Sequence, residues 1–268
     1  MIYMIMAGYF EDDASDELTK DPIFFNRMDE DTLKQFQEIS QILRKRIYSI
    51  QMPQAVILDL DSTLLAAYGK QEGRAFNFHY RSNGYHPLVC YAGITGDLIK
   101  IQLRDGAAYS CTGVTNFLQP ILDEYLNDYP TIHLLLRGDS GFATPDLYKQ
   151  CEENGTSYVI RLMENFIKES KSGFDFSAVS SHNRIVNANR VQVHALAYNI
   201  FNWFRRLVLS AKMRKQRIDT VRLKLLKIAT KVVHSARYIT FKLCSSCPYK
   251  EEFYDTLSAI GKLNVQLE

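Results

Sequence analysis

The sequence lacks the features that mark membrane, secreted and low-complexity proteins. No apolar run approaches the roughly 18 to 20 residues of a membrane span, and residues 1–10 are apolar without a basic leader or a small-residue cleavage site, so we expect neither a membrane segment nor a secretory signal. Glycine (13) and proline (7) are few, and 46% of the residues are hydrophobic, which argues against a disordered or collagen-like chain. Five scattered cysteines do not form a disulfide pattern, and we expect a reducing cytoplasm.

Charge is distributed unevenly along the 268 residues, although the net charge is only +2. Residues 160–250 contain 18 Lys and Arg against 4 Asp and Glu, while the rest of the chain contains 14 basic and 26 acidic residues. A local excess of this size attracts polyanions, and nucleic acid is the leading candidate. The alternative is that the basic residues form ordinary solvated faces of helices.

The periodicity of apolar residues predicts an α/β sheet domain followed by a basic, helical C-terminal part. Asp29 or Asp31 is expected to cap a first helix that runs to Ile50. The remaining predicted elements, in order, are a strand at 55–58, a hairpin at 86–106, a helix at 113–126, a strand at 132–137, a helix at 145–153, a strand at 157–162, helical stripes at 193–208 and 221–232, a strand at 237–243 and a helix at 248–263.

Three carboxylates stand at positions suited to metal chemistry. Asp61 follows the first strand, Asp139 follows a middle strand, and Glu164 begins a basic helix. Ligands of open α/β sheets gather beyond the carboxyl ends of strands, so the two aspartates are expected to lie together. Two Asp and one Glu suit Mg²⁺ or Mn²⁺, and two such ions about 3.5–4 Å apart serve phosphodiester cleavage. The alternative is that each acid caps a helix or lies on the surface.

Several segments together resemble a bacterial insertion-sequence DDE transposase. They include LDLDST, GYHPLV, LLRGDSGF, YVIRL, MENFIKESKSG and TVRLKLLKIATKVVHSARY, and the resemblance runs in order from about residue 59 to 257. It implies a ribonuclease-H-like mixed sheet flanked by helices. It also implies that two Mg²⁺ ions (Mn²⁺ as a substitute) serve the cleavage of transposon ends and the joining of the freed 3′-OH to target DNA. By motif match, Asp61, Asp139 and Glu164 are the catalytic, metal-binding triad.

The last motif of this family places a Tyr, an Arg, the catalytic Glu and a Lys at set intervals. Glu164 and Lys171 keep the usual six residues between them, whereas Tyr158 and Arg161 are in the right order with two residues, not three, between Arg161 and Glu164. Relatives carry a largely β insertion between the YVIRL strand and the Glu helix, and a longer N-terminal DNA-binding region. The resemblance therefore implies an internally deleted copy with impaired transposition.

The resemblance also implies partners and a division of the chain. We predict a shortened N-terminal helical region (1–52), a ribonuclease-H-like catalytic core (53–182) and a basic helical region packed on it (183–268). The predicted partners are transposon terminal inverted repeats and target DNA, with a homodimer as a further option, in the bacterial cytoplasm near the nucleoid. The predicted DNA contacts are Tyr158, Arg161, Lys168, Lys171, Arg184 and Arg190. A denser basic cluster is expected to contact DNA outside the catalytic centre, and it comprises Arg205, Arg206, Lys212, Arg214, Lys215 and Arg217.

Two other functions stay open from the sequence. One is a remnant that binds DNA but does not cut it, because the missing insertion alters the surroundings of the acids. The other is a haloacid-dehalogenase-type phosphatase, since AVILDLDST fits an apolar strand followed by D-x-D-x-T, with Asp59 as nucleophile and Asp61 as general acid. The pair Cys244 and Cys247 forms a single C-x-x-C, which is a weak zinc signal without a second pair.

Overall fold

The computed structural model describes residues 28–160, 171, 173–174, 179, 181–235, 238–244 and 247–263. The helices are α1 (Glu30–Ile50), α2 (Val114–Asp128), α3 (Pro145–Glu153), α4 (Arg184–Leu207), α5 (Ala211–Arg214), α6 (Ile218–Leu225) and α7 (Lys250–Gly261). The strands are β1 (Ala55–Ser62), β2 (Leu65–Ala66), β3 (Ala75–Asn77), β4 (Ser82–Tyr85), β5 (Leu88–Ala92), β6 (Leu98–Gln102), β7 (His133–Gly138), β8 (Ser157–Ile160), β9 (Thr230–Ser235) and β10 (Tyr238–Leu243). Among the helices of this described part, none has the length and apolar character needed to cross a bilayer.

The main sheet has five strands in the order β6-β5-β1-β7-β8. Strand β5 runs antiparallel to both β1 and β6, whereas β7 and β8 run parallel to β1. The parallel connections are made by α2 and α3, as expected for strands that need a crossover to pair in parallel. This is the ribonuclease-H-like mixed sheet with flanking helices that the sequence predicts, and the prediction is confirmed.

The two faces of the sheet follow from the alternation of residues along β1. Leu58 and Leu60 are buried on one face, in a core that α2 and α3 close. Side chains of a strand alternate between faces, so Asp59 and Asp61 point to the other face. That face carries a second core, in which α4 packs against β5 and β6. The acidic residues therefore share a face with the long C-terminal helix.

The outer edge of β6 is covered by polar side chains instead of a further strand. The amide of Asn199 on α4 accepts from the Leu98 N–H and donates to the Leu98 carbonyl, at 2.7 Å each. Gln192 donates to the carbonyl of Ile101 at 2.7 Å. Unpaired edge groups invite pairing with other chains, so these buried amides both close the edge and fix α4 on the sheet.

The sequence predicted a helical stripe over 221–232 in the C-terminal part. The second half of this prediction is wrong. Helix α6 ends at Leu225, and Val232 lies in β9, which pairs with the predicted strand β10.

The second difference is a small sheet in the order β2-β4-β3, for which the sequence analysis predicted no element. The division of the chain into three regions stays a prediction.

Two ion pairs join α1 to α2 in contrasting surroundings. Arg44 donates through one nitrogen to both carboxylate oxygens of Glu124, at 2.6 and 2.7 Å, and the two side chains are only 4% and 7% exposed. Lys45 pairs with Asp128 at 2.7 Å, with side chains 43% and 37% exposed. Of the two caps predicted for this helix, Asp29 is the one present, because its side chain accepts from the Thr32 N–H.

The burial of the first pair predicts a large stability effect. Glu124→Ala leaves the Arg44 charge buried without its partner, which destabilises by about 3–5 kcal/mol when a buried pair is broken. Asp128→Ala removes the exposed pair between the same helices and is expected to change the unfolding free energy by at most about 1 kcal/mol. Urea denaturation measures both, and equal losses would contradict this assignment.

Candidate active site

The pairing of β1 with β7 bears on the positions of the two predicted aspartates, which follow the paired residues of these strands. The strands are parallel, with Ala55 opposite His133 and Asp59 opposite Arg137, an offset of 78 residues throughout. Asp61 and Asp139 keep the same offset, and Asp139 continues the strand in extended conformation (φ −79°, ψ 176°). Adjacent strands lie about 4.8 Å apart and paired residues share a face. The recorded pairing ends at Asp59 and Arg137, and the same offset continued by two residues would set Asp139 level with Asp61 on one face.

Short local hydrogen bonds orient both carboxylates. Asp139 Oδ1 accepts from the N–H of Gly141 at 2.8 Å and so caps the 3₁₀ turn Ser140–Phe142. Asp61 Oδ1 accepts from the N–H of Ser62 at 2.6 Å. Both aspartates are half-buried. A Cβ at Gly141 would lie 3.0 Å from Asp139 Oδ1 and equally close to Ser110, which explains why a glycine follows the aspartate here.

A loop after β6 closes one side of this acidic pair. Ser110 Oγ lies 2.9 Å from Ser62 Oγ, which joins the loop to the end of β1. Tyr80 donates from its hydroxyl to the carbonyl of Ser62 at 3.2 Å. These three side chains carry functional groups next to the aspartates. The sequence analysis missed them, although Tyr80 lies close in sequence to the GYHPLV segment and Ser110 follows the predicted hairpin at 86–106.

Buried Arg104 builds the same loop. Its guanidinium donates to the carbonyl oxygens of Tyr109, Ser110 and Thr112, at 2.7 to 3.1 Å. Burial lowers the pKa of Arg104 to about 10, which leaves it charged at neutral pH. His86, whose carbonyl also accepts from Arg104, lies with Nδ1 2.6 Å from the Ala108 carbonyl. Burial lowers the pKa of His86, so a neutral imidazole with its hydrogen on Nδ1 is expected there.

Asp59 has a structural partner rather than an open position. Arg137 on the neighbouring strand donates through two nitrogens to the two carboxylate oxygens, at 2.5 and 2.6 Å. The pKa of Arg137 is raised, chiefly because its guanidinium donates hydrogen bonds to Asp59. A bidentate pair of this kind is among the strongest side-chain contacts. Both oxygens of Asp59 are thus engaged, which disfavours the nucleophilic role required by the phosphatase interpretation.

The structure separates Tyr158 from the acidic pair. Tyr158 pairs with Leu136, which pairs with Leu58, so its side chain lies on the face opposite Asp61. It donates to Glu152 at 3.3 Å and stacks on the ring of Tyr148 with centroids 5.0 Å apart. Tyr158 therefore lies away from the acidic pair, and its role in DNA binding stays a prediction.

The other predicted residues divide into described and undescribed ones. Glu164, Arg161 and Lys168 lie outside the described residues. Lys171 is described as helical and half-buried. Arg184, the first residue of α4, pairs with Asp105 at 3.4 Å, with both side chains substantially exposed, and Arg190 is half-buried one turn and a half further along. Within the described ranges no group of three or more His, Cys, Asp or Glu converges as a metal site.

Part of the predicted basic cluster in the C-terminal region has a structural task. Arg206 binds the fully buried carboxylate of Asp97 at 3.1 Å, and the Asn202 amide donates to the same carboxylate at 2.8 Å. Arg214 donates to the carbonyl of Leu209 at 2.7 Å while the rest of its side chain is exposed. Exposed members of the cluster are Lys212, Arg214, Lys215 and Arg217. Arg206 is thus removed from the set of candidate DNA contacts.

The fold is a mixed sheet flanked by helices, with two aspartates near the carboxyl ends of β1 and β7. The family model described as transposase DDE domain group 1 matches the chain in two segments, residues 24–163 and 162–265. The chain therefore belongs to this family of transposases. Among curated protein sequences, none matches.

Solved structures with some similarity are also transposases. The catalytic domain of the Mos1 mariner transposase is 9% identical with a TM-score of 0.31, covering 67% of this chain and 93% of that one. The piggyBac transposase, in a synaptic complex with hairpin DNA, is 18% identical with a TM-score of 0.27, covering 40% of this chain. This chain spans 23% of the piggyBac chain. At TM-scores this low the likenesses carry no weight, and the family assignment follows from the match along the sequence.

The space beside Asp59 yields a prediction. A Cβ at Gly93 would lie 2.5 Å from Asp59 Oδ2 and 3.0 Å from a nitrogen of Arg137. Gly93→Ala therefore pushes this ion pair apart, and overpacking of this kind destabilises by about 1–3 kcal/mol. Gly261→Ala is the control, because nothing lies within 4 Å of a Cβ at that helical position. Thermal or urea unfolding compares them, and equal stability of the two variants would show that the close approach is not required.

Proposed function

We propose that this chain catalyses divalent-metal-dependent cleavage of transposon-end DNA and transfer of the freed 3′-OH into target DNA, with Asp61, Asp139 and Glu164 as the metal-binding triad. The observation that supports the proposal is the parallel register of β1 and β7, which pairs Asp59 with Arg137 and, continued by two residues, would set Asp61 level with Asp139. Ligands of open α/β sheets bind beyond the carboxyl ends of the strands. Two carboxylates at the carboxyl ends of β1 and β7 would stand in that position, in a member of a DDE transposase family.

The donor set of the site fits Mg²⁺ or Mn²⁺. Asp61 and Asp139 present hard carboxylate oxygens, which these ions prefer to nitrogen or sulfur. Glu164, in the sequence directly after the β8 segment, is proposed as the third carboxylate. Two cations held there would supply the positive charge that activates an attacking oxygen and stabilises a leaving oxygen.

The chain's own residues would orient the DNA and the acids during two successive substitution steps at phosphorus. In cleavage, a water oxygen attacks the phosphorus, the bond from phosphorus to the 3′ oxygen breaks, and the 3′-OH leaves with a proton. In transfer, that 3′ oxygen attacks a target phosphodiester and another 3′-OH is released, so one diester replaces another. Gly141 and Ser62 hold the two carboxylates by backbone hydrogen bonds, which keeps their oxygens oriented in both steps.

The DNA is proposed to lie across the face that carries the acids and α4. Lys171 and Arg190 are half-buried cations of this part of the chain, and Arg184 stands at the start of α4. Lys168 and Arg161 are retained as proposed contacts from the sequence. Phosphate contacts position a protein on DNA without reading the base sequence. These residues would therefore set the orientation of the protein on the duplex, and other residues would recognise the terminal repeats.

A second candidate function is DNA binding without cleavage. One observation favours it: the family model matches in two segments that meet at residues 162–163, directly before Glu164. This is the junction where the sequence comparison implies that an insertion is missing. If the junction misplaces the glutamate, the chain keeps its DNA contacts and loses catalysis, and the experiment below separates the two functions.

The first test replaces the acids one at a time. Asp61→Asn and Asp139→Asn are each expected to abolish Mg²⁺-dependent nicking of a duplex that carries the inverted repeats flanking the coding sequence, because each removes a charged metal ligand. Binding of the same duplex in a gel shift is expected to stay equal or tighten, since a negative charge is lost.

Asp59→Asn is the matched control, because it lies on the same strand and face but is engaged by Arg137. It should keep nicking activity at temperatures well below its unfolding midpoint. Nicking by Asp61→Asn or Asp139→Asn would reject the metal assignment, and a wild-type chain that binds the duplex without nicking it would establish the second candidate function instead. Phosphatase activity lost in Asp59→Asn would support the dehalogenase-type alternative.

The second test measures phosphate contact by Lys171. Lys171→Ala is expected to weaken DNA binding and to reduce the slope of log affinity against log salt by about one unit, the loss of one neutralised phosphate. Lys149→Ala is the control, since Lys149 is exposed on α3 and pairs with Glu153. An unchanged slope for Lys171→Ala would remove this lysine from the set of contacts.

A further inference from the structure

The hairpin formed by β9 and β10 exposes both of its faces. Val232, Ile239 and Phe241 are 47%, 59% and 65% exposed, and on the opposite face Lys231, Thr240 and Lys242 are exposed as well. Within the described residues, neither of the two hydrophobic cores includes a hairpin residue. At its root, Leu243 borders a small cavity of about 150 Å³ shared with α7. The hairpin thus projects from the part of the chain to which it is attached.

Two lysines stand directly opposite each other on this hairpin. The antiparallel register pairs Lys231 with Lys242, and like charges in such cross-strand positions destabilise a sheet. In the described part of the chain neither lysine forms an ion pair. The surrounding sequence offers no relief, because residues 227–250 contain five Lys and Arg and no Asp or Glu. The repulsion is therefore not compensated by the described residues, and an external anion would relieve it.

The dimensions of the hairpin suit double-stranded DNA. Each strand has six residues, which corresponds to about 20 Å of length at about 3.4 Å per residue, with about 4.8 Å between the strands. The major groove of B-DNA is about 12 Å wide and admits a two-stranded β-ribbon. An isolated hairpin is at best marginally stable in water, so binding in a groove would also supply the support that the ribbon lacks.

We propose that the β9–β10 hairpin is a DNA-binding ribbon of this transposase, in which Lys231 and Lys242 contact backbone phosphates beside the groove. The inference rests on the proposed function for its partner, since the same DNA must reach the acidic pair. It adds a surface outside the catalytic centre, separate from the contacts proposed on α4 and at Lys171. The competing occupant is a second copy of the chain on the apolar face that carries Val232 and Phe241.

The key variant is Lys242→Glu, because it separates hairpin stability from DNA binding. A glutamate opposite Lys231 replaces a repulsive cross-strand pair with an attractive one, so the urea midpoint should stay equal or rise. Binding to a fluorescent duplex of arbitrary sequence, measured without metal, should weaken by about tenfold at 0.1 M salt, and the salt slope should fall by about one unit. Lys231→Ala/Lys242→Ala should lower the slope by about two units.

Lys149→Glu is the control, because it changes the net charge by the same amount on exposed α3, and it should leave the slope unchanged. A wild-type slope in Lys242→Glu overturns the proposal. The same result together with a shift from dimer to monomer in Phe241→Ser, measured by sedimentation, assigns the hairpin to a second copy. A wild-type chain that binds no duplex overturns it too.

Nicking distinguishes this proposal from the proposed function. If the wild-type chain nicks the transposon-end duplex and Lys242→Glu binds with a wild-type slope, the hairpin proposal fails while the catalytic function stands. If the slope falls in Lys242→Glu but the wild-type chain does not nick, the ribbon stands and the catalytic function fails.

Discussion

The parallel pairing of β1 with β7 determines the candidate site, because a constant register fixes both the level and the face of every residue on the two strands. That register places Arg137 against Asp59 and, if it is continued by two residues beyond the recorded pairs, would bring Asp139 level with Asp61. A shift of one residue would move one aspartate to the opposite face of the sheet. The bidentate Asp59–Arg137 contact resists such a shift, since its hydrogen bonds depend on the same register. The pair thus stabilises the register on which the candidate site depends.

The basic side chains of the C-terminal half fall into two groups, one engaged inside the fold and one exposed. Arg206 neutralises the buried Asp97, and Arg222 is buried with its guanidinium 2.6 Å from the Gly173 carbonyl and over the ring of Phe174. These cations hold α4 and α6 in place. By contrast, Lys231 and Lys242 are exposed and face each other. A charge count from the sequence cannot divide residues in this way, because the division depends on which carboxylates and carbonyls lie within reach in the fold.

The sequence was informative where one periodicity runs without interruption. The strand ending in Asp61, the helix from Pro145 to Glu153 and the hairpin of β5 with β6 follow from apolar runs and turn residues, and each is present. The helix predicted over 221–232 was wrong in its second half, because Val232 of β9 continues the helical spacing of the apolar residues of α6 by chance. The small β2-β4-β3 sheet escaped prediction because its strands have two to four residues and are too short to show a period.

Within the site, the sequence predicted the acids but not their surroundings. The position of each aspartate after an apolar strand is a local signal, whereas the contact of Ser62 with Ser110 joins residues 48 positions apart. Tyr158 shows what spacing alone leaves out, since its position resembles the family motif while the strand alternation turns its side chain to the face opposite Asp61.

The most direct measurement is anomalous diffraction from crystals of the full chain soaked in Mn²⁺. The account predicts a manganese peak within coordination distance of carboxylate oxygens from both Asp61 and Asp139. Manganese bound elsewhere, with these two carboxylates turned away from each other, would contradict it.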